Sequence, residues 1–346
     1  MDSSNSLENQ IKKLKAKVQA SSLPNDLFEK VDGMIASIGS GGSSNIESVS
    51  SYINWVTSLP FNSQTKDILD LNLAGKILDK NHYGLQSVKN IILEYLAALI
   101  LNMRNKTEGN VSRTPILCLV GLVGTGKTTL AYSIAESLGR KFERIPFGGM
   151  GDARELRGQS RVAPDAEPGL VIKSLVKTQS KNSVILLDEL DRVTDDSRAD
   201  IMGVLVELLD PQQNKKFTDH YIDYPFDLSN VLFIATANNT TNISTAVLDR
   251  LQIIQMPSYT DEEKTVIAKN YLFPQVRTQT GLNQTQITID DAVWPAIIRP
   301  LGFDSGIRSL ERSIEEVCRR VALLIVEGKA SSVSITNDNI KEFLPS

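Results

Sequence analysis

Gly121-Leu122-Val123-Gly124-Thr125-Gly126-Lys127-Thr128 fits the pattern G-x-x-x-x-G-K-[ST]. Its flanks give the match its weight. The apolar run Ile116–Val120 precedes it, and a helical run, Thr129–Leu138, follows. A strand, a glycine turn and a helix in that order make a phosphate cradle. The glycines let the backbone wrap so that N–H groups face phosphate oxygens, and the helix N-terminus adds its partial positive charge. In that frame Lys127 reaches the β- and γ-phosphates and Thr128 ligates Mg2+. Thr129, at the start of the helical run, joins the binding stretch.

Two further apolar runs end in polar residues. Ser183–Leu187 leads into Asp188 and Glu189. A carboxylate at the C-terminal edge of a neighbouring strand is where the metal needs a ligand, so Asp188 takes that role. A second acid can polarise the attacking water, which makes Glu189 the candidate base. Val231–Ala237 ends at Asn238, which can hold the lytic water. Arg250, in Leu248-Asp249-Arg250, can reach the γ-phosphate of a neighbouring subunit; alone it also fits a surface ion pair.

The rest of the chain gives the setting. Its 346 residues carry 37 Lys+Arg against 41 Asp+Glu, a formal charge of −4. That argues against a whole-surface grip on nucleic acid. Two cysteines, Cys118 and Cys318, sit in apolar surroundings and cannot form a disulfide framework. His82 and His220 are too few and too far apart for a zinc site. No apolar run is long enough to span a membrane, and Met1–Gln10 is polar, without a secretory h-region. A cytoplasmic, reducing compartment is the expectation.

The runs Ile116–Val120, Val184–Leu187 and Val231–Ala235 lack period-2 alternation, as expected for parallel strands buried on both faces. They predict an α/β fold: a P-loop parallel-sheet core over residues 69–257. Residues 1–68 read as an N-terminal helical segment, with Leu7, Ile11, Leu14 and Val18 at helical spacing. Within it Ile38–Ser51, glycine- and serine-rich through Gly39–Ser44, reads as a flexible linker or loop. Residues 258–346 read as a small, mostly helical lid. Helices are expected at Asp261–Leu272 and Ser309–Glu327, with short β-like runs at Gln286–Ile289 and Ser332–Ile335.

The order of these elements resembles the AAA+ ATPases, and finer strings resemble the ATPase module of the Lon family of ATP-dependent proteases. They include His82-Tyr83-Gly84-Leu85, Leu138-Gly139-Arg140-Lys141-Phe142, Leu186-Leu187-Asp188-Glu189-Leu190-Asp191 and Leu208-Leu209-Asp210-Pro211-Gln212-Gln213-Asn214. Asp219-His220-Tyr221, Pro225-Phe226-Asp227-Leu228-Ser229 and Gly306-Ile307-Arg308-Ser309-Leu310-Glu311-Arg312 complete the set. The resemblance implies ATP/ADP and Mg2+ as ligands, with Tyr83, Gly84 and Leu85 lining the adenine pocket. It makes Gly121–Thr128 the Walker A loop and Asp188 with Glu189 the Walker B pair. Asn238 becomes sensor 1, Arg250 a trans-acting arginine finger and Arg308 sensor 2 on the lid. His220 falls in a string with no catalytic role. The family implies a hexameric ring with a central pore, acting on unfolded or damaged proteins; for lack of a long apolar run, no membrane partner is expected.

Three departures stand out. Leu122-Val123 replaces the family's Pro-Pro in the phosphate loop. Ala163 and Pro164 stand where the family's pore loop carries an aromatic-aliphatic pair; Met150, after Gly148-Gly149, is the nearest substitute, and a second pore loop is expected near Asp195–Asp200. No serine has the context of the family's Ser-Lys dyad, so peptidase chemistry is not expected in these residues. The leading reading is an ATP-hydrolysing motor module of a Lon-type protease. One alternative is a stand-alone remodelling ATPase. The other is a nucleotide-gated DNA-binding module, supported only by the lysines of Lys12–Lys17.

Overall fold

The structure, a computed structural model, describes residues 2–41, 46–105, 115–299 and 306–344. Its centre is a five-stranded parallel sheet of β1 (Ile116–Val120), β2 (Phe142–Pro146), β3 (Val184–Asp188), β6 (Leu232–Ala237) and β7 (Leu251–Gln255), in the order β2-β3-β6-β1-β7. A short antiparallel pair, β4 (Phe217–Thr218) and β5 (Pro225–Phe226), stands beside it. The central strands are Leu-, Ile- and Val-rich because both sheet faces are covered. Leu117 and Leu119 point into one apolar cluster, while Cys118 and Val120 point into the other. The strands β2 and β7, absent from the sequence reading, are the two edges; Arg144, Gln252 and Gln255 interrupt their apolar residues.

Helices α4 (Leu71–Asn81), α5 (Gln86–Arg104) and α6 (Lys127–Leu138) cover one face. The Asp70 carboxylate starts α4 by accepting the N–H groups of Asn72 and Leu73. The other face packs against α8 (Leu170–Thr178) and α9 (Arg198–Leu209), with α7 (Arg154–Arg157) and α10 (Thr245–Leu248) at its margins. That apolar cluster runs on without a break into α1 (Asp2–Ala20), α2 (Asn25–Gly41) and α3 (Ile46–Thr57) through Leu14, Val18, Leu27, Val31, Tyr52 and Val56. Polar contacts lock these helices down: Tyr52 Oη donates to Ile222 O (3.0 Å), Lys30 pairs with Asp223 (2.9 Å), and Tyr224 Oη donates to Asp26 (2.9 Å). No described helix is long and apolar enough to cross a membrane.

The expected loop at Ile38–Ser51 is largely helical. α2 runs through Gly41 and α3 begins at Ile46; residues 42–45, and the side chain of Leu7, lie outside the described residues. Burial of Leu27, Val31, Ile35 and Ile38 along one stripe outweighs the poor helix propensity of the glycines that follow.

The C-terminal part has its own apolar cluster, built from α12 (Phe273–Gln279), α13 (Trp294–Ile298), α14 (Ile307–Val326) and α15 (Ile340–Phe343) with the parallel pair β8 (Ile287–Ile289) and β9 (Val333–Ile335). The helix expected over Asp261–Leu272 is α11 (Asp261–Ile267), opened by a Thr260–Glu263 capping box, and then a π-helical stretch, Ala268–Leu272. The physical reason lies two residues beyond. Pro274 has no N–H to give the helical ladder, and Phe273 N reaches back five residues to Ala268 O.

Candidate nucleotide site

The phosphate loop leaves the C-terminal end of β1, between β6 and β7. Gly124 and Gly126 take φ of +81° and +88°, a backbone that side-chain-bearing residues rarely adopt. Leu122 and Val123 are exposed, so replacing two prolines there leaves the loop's backbone donors in place. Lys127 Nζ is drawn inward and donates to Gly121 O (2.6 Å), Leu122 O (2.9 Å) and Asn238 Oδ1 (3.3 Å). Burial lowers its pKa; Asp188, Asp191 and Glu189 oppose that shift. Thr128 is half-buried in the first turn of α6, and Thr129 Oγ1 donates to Gly126 O (2.9 Å).

Asp188 ends β3 and is buried. Arg144, on the edge strand β2, donates to its Oδ2 (2.6 Å), and the Thr236 hydroxyl donates to its Oδ1. Glu189 follows with φ +61°, and its backbone N–H donates to Thr236 Oγ1 (2.9 Å). Its carboxylate lies over Gly148, where a Cβ would sit 2.9 Å from Glu189 Oε2. Asn238 is oriented by buried Asp191. The Asn238 backbone N–H donates to Asp191 Oδ1 (3.0 Å) and its side-chain amide to Oδ2 (3.4 Å). Arg144, Thr236 and Asp191 escaped the sequence reading. Thr236 and Asp191 lie inside the strings already quoted, and only strand pairing reveals what they hold.

The lid closes directly on this loop. Ile307 N donates to Gly124 O (3.0 Å), and a Cβ on Gly124 would approach Arg308 N at 3.2 Å. Arg308 thus stands in the first turn of α14 against the phosphate loop, its side chain exposed. Arg250 stands elsewhere. It immediately precedes β7, and its carbonyl accepts Ile116 N (3.1 Å) at the start of β1. The phosphate loop leaves the far end of that strand, about 16 Å away at the usual rise per residue. Arg250 is not part of this chain's own cradle; it pairs with Asp210 (3.0 Å) and donates to Ala246 O (2.7 Å).

The His82–Leu85 turn faces the hinge between core and lid. The Tyr83 and Tyr271 rings are 6.5 Å apart, Gly84 abuts the Glu263 carboxylate, and Leu85 is buried. His82 anchors the turn through Ser133 Oγ (2.9 Å). Burial, with Lys89 nearby, lowers its pKa from 6.5 to about 4. Between those values the unfolded chain binds more protons than the folded one, so stability falls as the pH drops. The gap corresponds to about 3 kcal/mol. Urea titrations of the protein at pH 7 and pH 4 are expected to differ by that amount more than those of His82→Gln; equal differences in both would remove His82 as the cause.

The loop 158–169 is rooted by buried Asp219, which accepts the N–H groups of Gly169 (2.7 Å), Tyr221 (2.8 Å) and Ile222 (3.0 Å). His220 contributes its backbone N–H, to Arg157 O (2.7 Å), while its side chain is exposed. Val162, 92% exposed, tops the loop beside Ala163 and Pro164. Met150, expected as a substitute grip, is buried at 3% in the core instead, because the turn after Gly149 folds it inward. Of the second expected loop, Asp195–Asp200, only the first half lies before α9; Arg198–Asp200 form the first turn of that helix.

Thr128 and Asp188 offer hard oxygen donors at the cradle's edge, and no cluster of three or more His, Cys, Asp or Glu suited to a metal exists among the described residues. That donor set fits Mg2+, which takes few protein ligands and completes its shell with phosphates and water.

Residues 117–259 match the ATPase family associated with various cellular activities (AAA), and residues 278–333 match the Lon protease AAA+ ATPase lid domain. A Lon protease of Lawsonia intracellularis is 40% identical over 97% of this chain and 40% of its own length. One of Desulforamulus reducens is 46% identical over 86% of this chain and 36% of its own, and one of Bacillus thuringiensis is 39% identical over 97% and 42%. The chain spans about two fifths of the length of the curated relatives it matches.

Proposed function

Because the chain belongs to the Lon family of AAA+ ATPases, we propose that it is an ATP-hydrolysing motor module of a Lon-type protease, coupling turnover to the unfolding and threading of protein substrates. The observation that carries this reading is how the candidate site residues divide. Lys127, Asp188, Glu189 and Asn238 meet at one phosphate loop with Arg308 of the lid against it, while Arg250 sits at the opposite end of β1.

In this reading the loop's N–H groups and Lys127 bind the β- and γ-phosphates, and Tyr83, Gly84 and Leu85 border the adenine. Thr128 and Asp188 hold Mg2+, which supplies charge neutralisation on the phosphates. Asp188 is already oriented by Arg144 and Thr236. Asn238 positions the water and Glu189 takes its proton. Arg308 senses the γ-phosphate in cis. Arg250 supplies the same phosphate from the neighbouring subunit of a ring, so each site is complete only with a second copy. Residues 1–68, 69–257 and 258–346 are the proposed helical, nucleotide-binding and lid units, and the cytoplasm is the proposed compartment.

Steady-state ATP hydrolysis across a range of protein concentrations tests this. Turnover per subunit is expected to rise with concentration as rings form, and to rise again with an unfolded protein present. Turnover that is independent of concentration would remove the trans role of Arg250. A second reading, a remodelling ATPase that does not thread its client, draws on the Val162–Pro164 loop tip, which offers no aromatic ring for a polypeptide to pack against. Turnover that rises with concentration but ignores unfolded protein would favour it.

A further inference from the structure

Arg250 is held in an unusual way. Its guanidinium has five N–H donors. Nη1 gives one to Ala246 O (2.7 Å) and Nη2 gives one to Asp210 Oδ2 (3.0 Å), while Nε is buried without a hydrogen-bond partner. A bidentate ion pair would engage two guanidinium nitrogens with two carboxylate oxygens. Here the second oxygen is committed elsewhere: Asp210 Oδ1 accepts the backbone N–H groups of Gln212 (2.9 Å) and Gln213 (3.2 Å). Asp210-Pro211 opens a turn at the end of α9, and Asp210 O accepts Asn214 N (2.9 Å) within it. The carboxylate is therefore fixed by its own turn and accepts one bond from Arg250.

Two consequences follow. The guanidinium is anchored at two points, in a site where both side chains are about three-quarters buried. Besides the buried Nε–H, it keeps two N–H donors uncommitted by these bonds, one on each terminal nitrogen. A fork with one uncommitted donor on each tip suits two oxygens of a phosphate.

We infer that Asp210 is the positioning residue for Arg250: it fixes the guanidinium at the subunit's edge, pre-oriented for a phosphate held by the neighbouring copy. This rests on the trans-acting reading of Arg250 given above. Fixing the fork in advance removes the ordering cost from the moment of reaction.

The test uses Asp210→Asn, Arg250→Ala and the double variant in the full chain. Asn keeps the acceptor for Gln212 and Gln213 and so keeps the turn, but it withdraws the charge from Arg250. At protein concentrations where turnover per subunit has levelled off, D210N is expected to lower kcat about 10- to 100-fold, with ATP affinity unchanged. R250A is expected to lower it about 10³-fold. The double variant should be no slower than R250A alone, because Asp210 acts through Arg250. Independent of activity, the Arg250 Nε–H signal of 15N-arginine-labelled protein should exchange with solvent at least about tenfold faster in D210N, since the guanidinium loses the Nη2 anchor that keeps Nε buried.

The outcomes separate. A slow R250A beside a D210N at the wild-type rate overturns this inference and leaves the trans role intact. A double variant slower than R250A also overturns it, since Asp210 then acts elsewhere. Unchanged Nε–H exchange in D210N does the same. An R250A that turns over at the wild-type rate sinks the trans reading, and this inference with it.

Discussion

Replacing Lys127 by Ala is expected to lose both nucleotide binding and turnover. The ammonium is buried at 8% exposure, and its three donors go to Gly121 O, Leu122 O and Asn238 Oδ1. It therefore shapes the loop and also supplies positive charge to the phosphates. Hydrogen bonds to charged groups contribute about 1.5–3 kcal/mol each, so ATP affinity should fall at least about tenfold from the loss of one such contact. Lost stabilisation of developing charge should take a further 10²–10³-fold from kcat, roughly the cost of removing one oriented donor. Equilibrium binding of a fluorescent ATP analogue and steady-state phosphate release measure the two effects separately. A Lys127→Ala protein that binds and turns over like the wild type would remove this loop from the chemistry.

The phosphate loop was readable because its function forces its spelling. Glycines and a lysine at fixed spacing follow directly from wrapping a backbone round phosphate. The central strands β1, β3 and β6 were readable for a related reason: burial on both faces leaves no room for polar interruptions. The edge strands β2 and β7 carry such interruptions and gave no apolar run. Yet β2 bears Arg144, which holds Asp188. Pairing across strands brings together residues 44 apart in sequence, and no local spacing encodes that.

The same limit explains Asp191 and Asp210. Each stood in a recognised string, but only the fold shows that one orients Asn238 and the other grips Arg250. The glycines of Gly39–Gly41 misled in the opposite direction. Local propensity points to a loop there, and the apolar stripe of α2 overrides it by packing on the core. Met150 misled because a residue after two glycines looks loop-exposed; here the Met150 N–H closes a turn onto Phe147 O (3.0 Å), and the side chain is buried.

Glu189→Gln should give the complementary phenotype: bound nucleotide with little hydrolysis. Gln is nearly the same shape, and the features that place residue 189 do not depend on charge. The backbone N–H is held by Thr236 Oγ1, and φ of +61° is set by the turn off β3. The side chain lies over Gly148, which leaves room for either end group. ATP affinity should therefore stay within about threefold of wild type, less than one ordinary hydrogen bond's worth. The amide cannot accept the water's proton, so kcat should fall about 10²–10⁴-fold, the range general-base catalysis contributes. Single-turnover hydrolysis and the affinity for ATP, measured on the same preparation, distinguish this from Lys127→Ala. Loss of affinity in Glu189→Gln would mean that the carboxylate serves binding; full turnover would mean that another group activates the water. Together the two variants separate the cradle from the base: Lys127 is needed to hold the phosphates, and Glu189 only to cleave them.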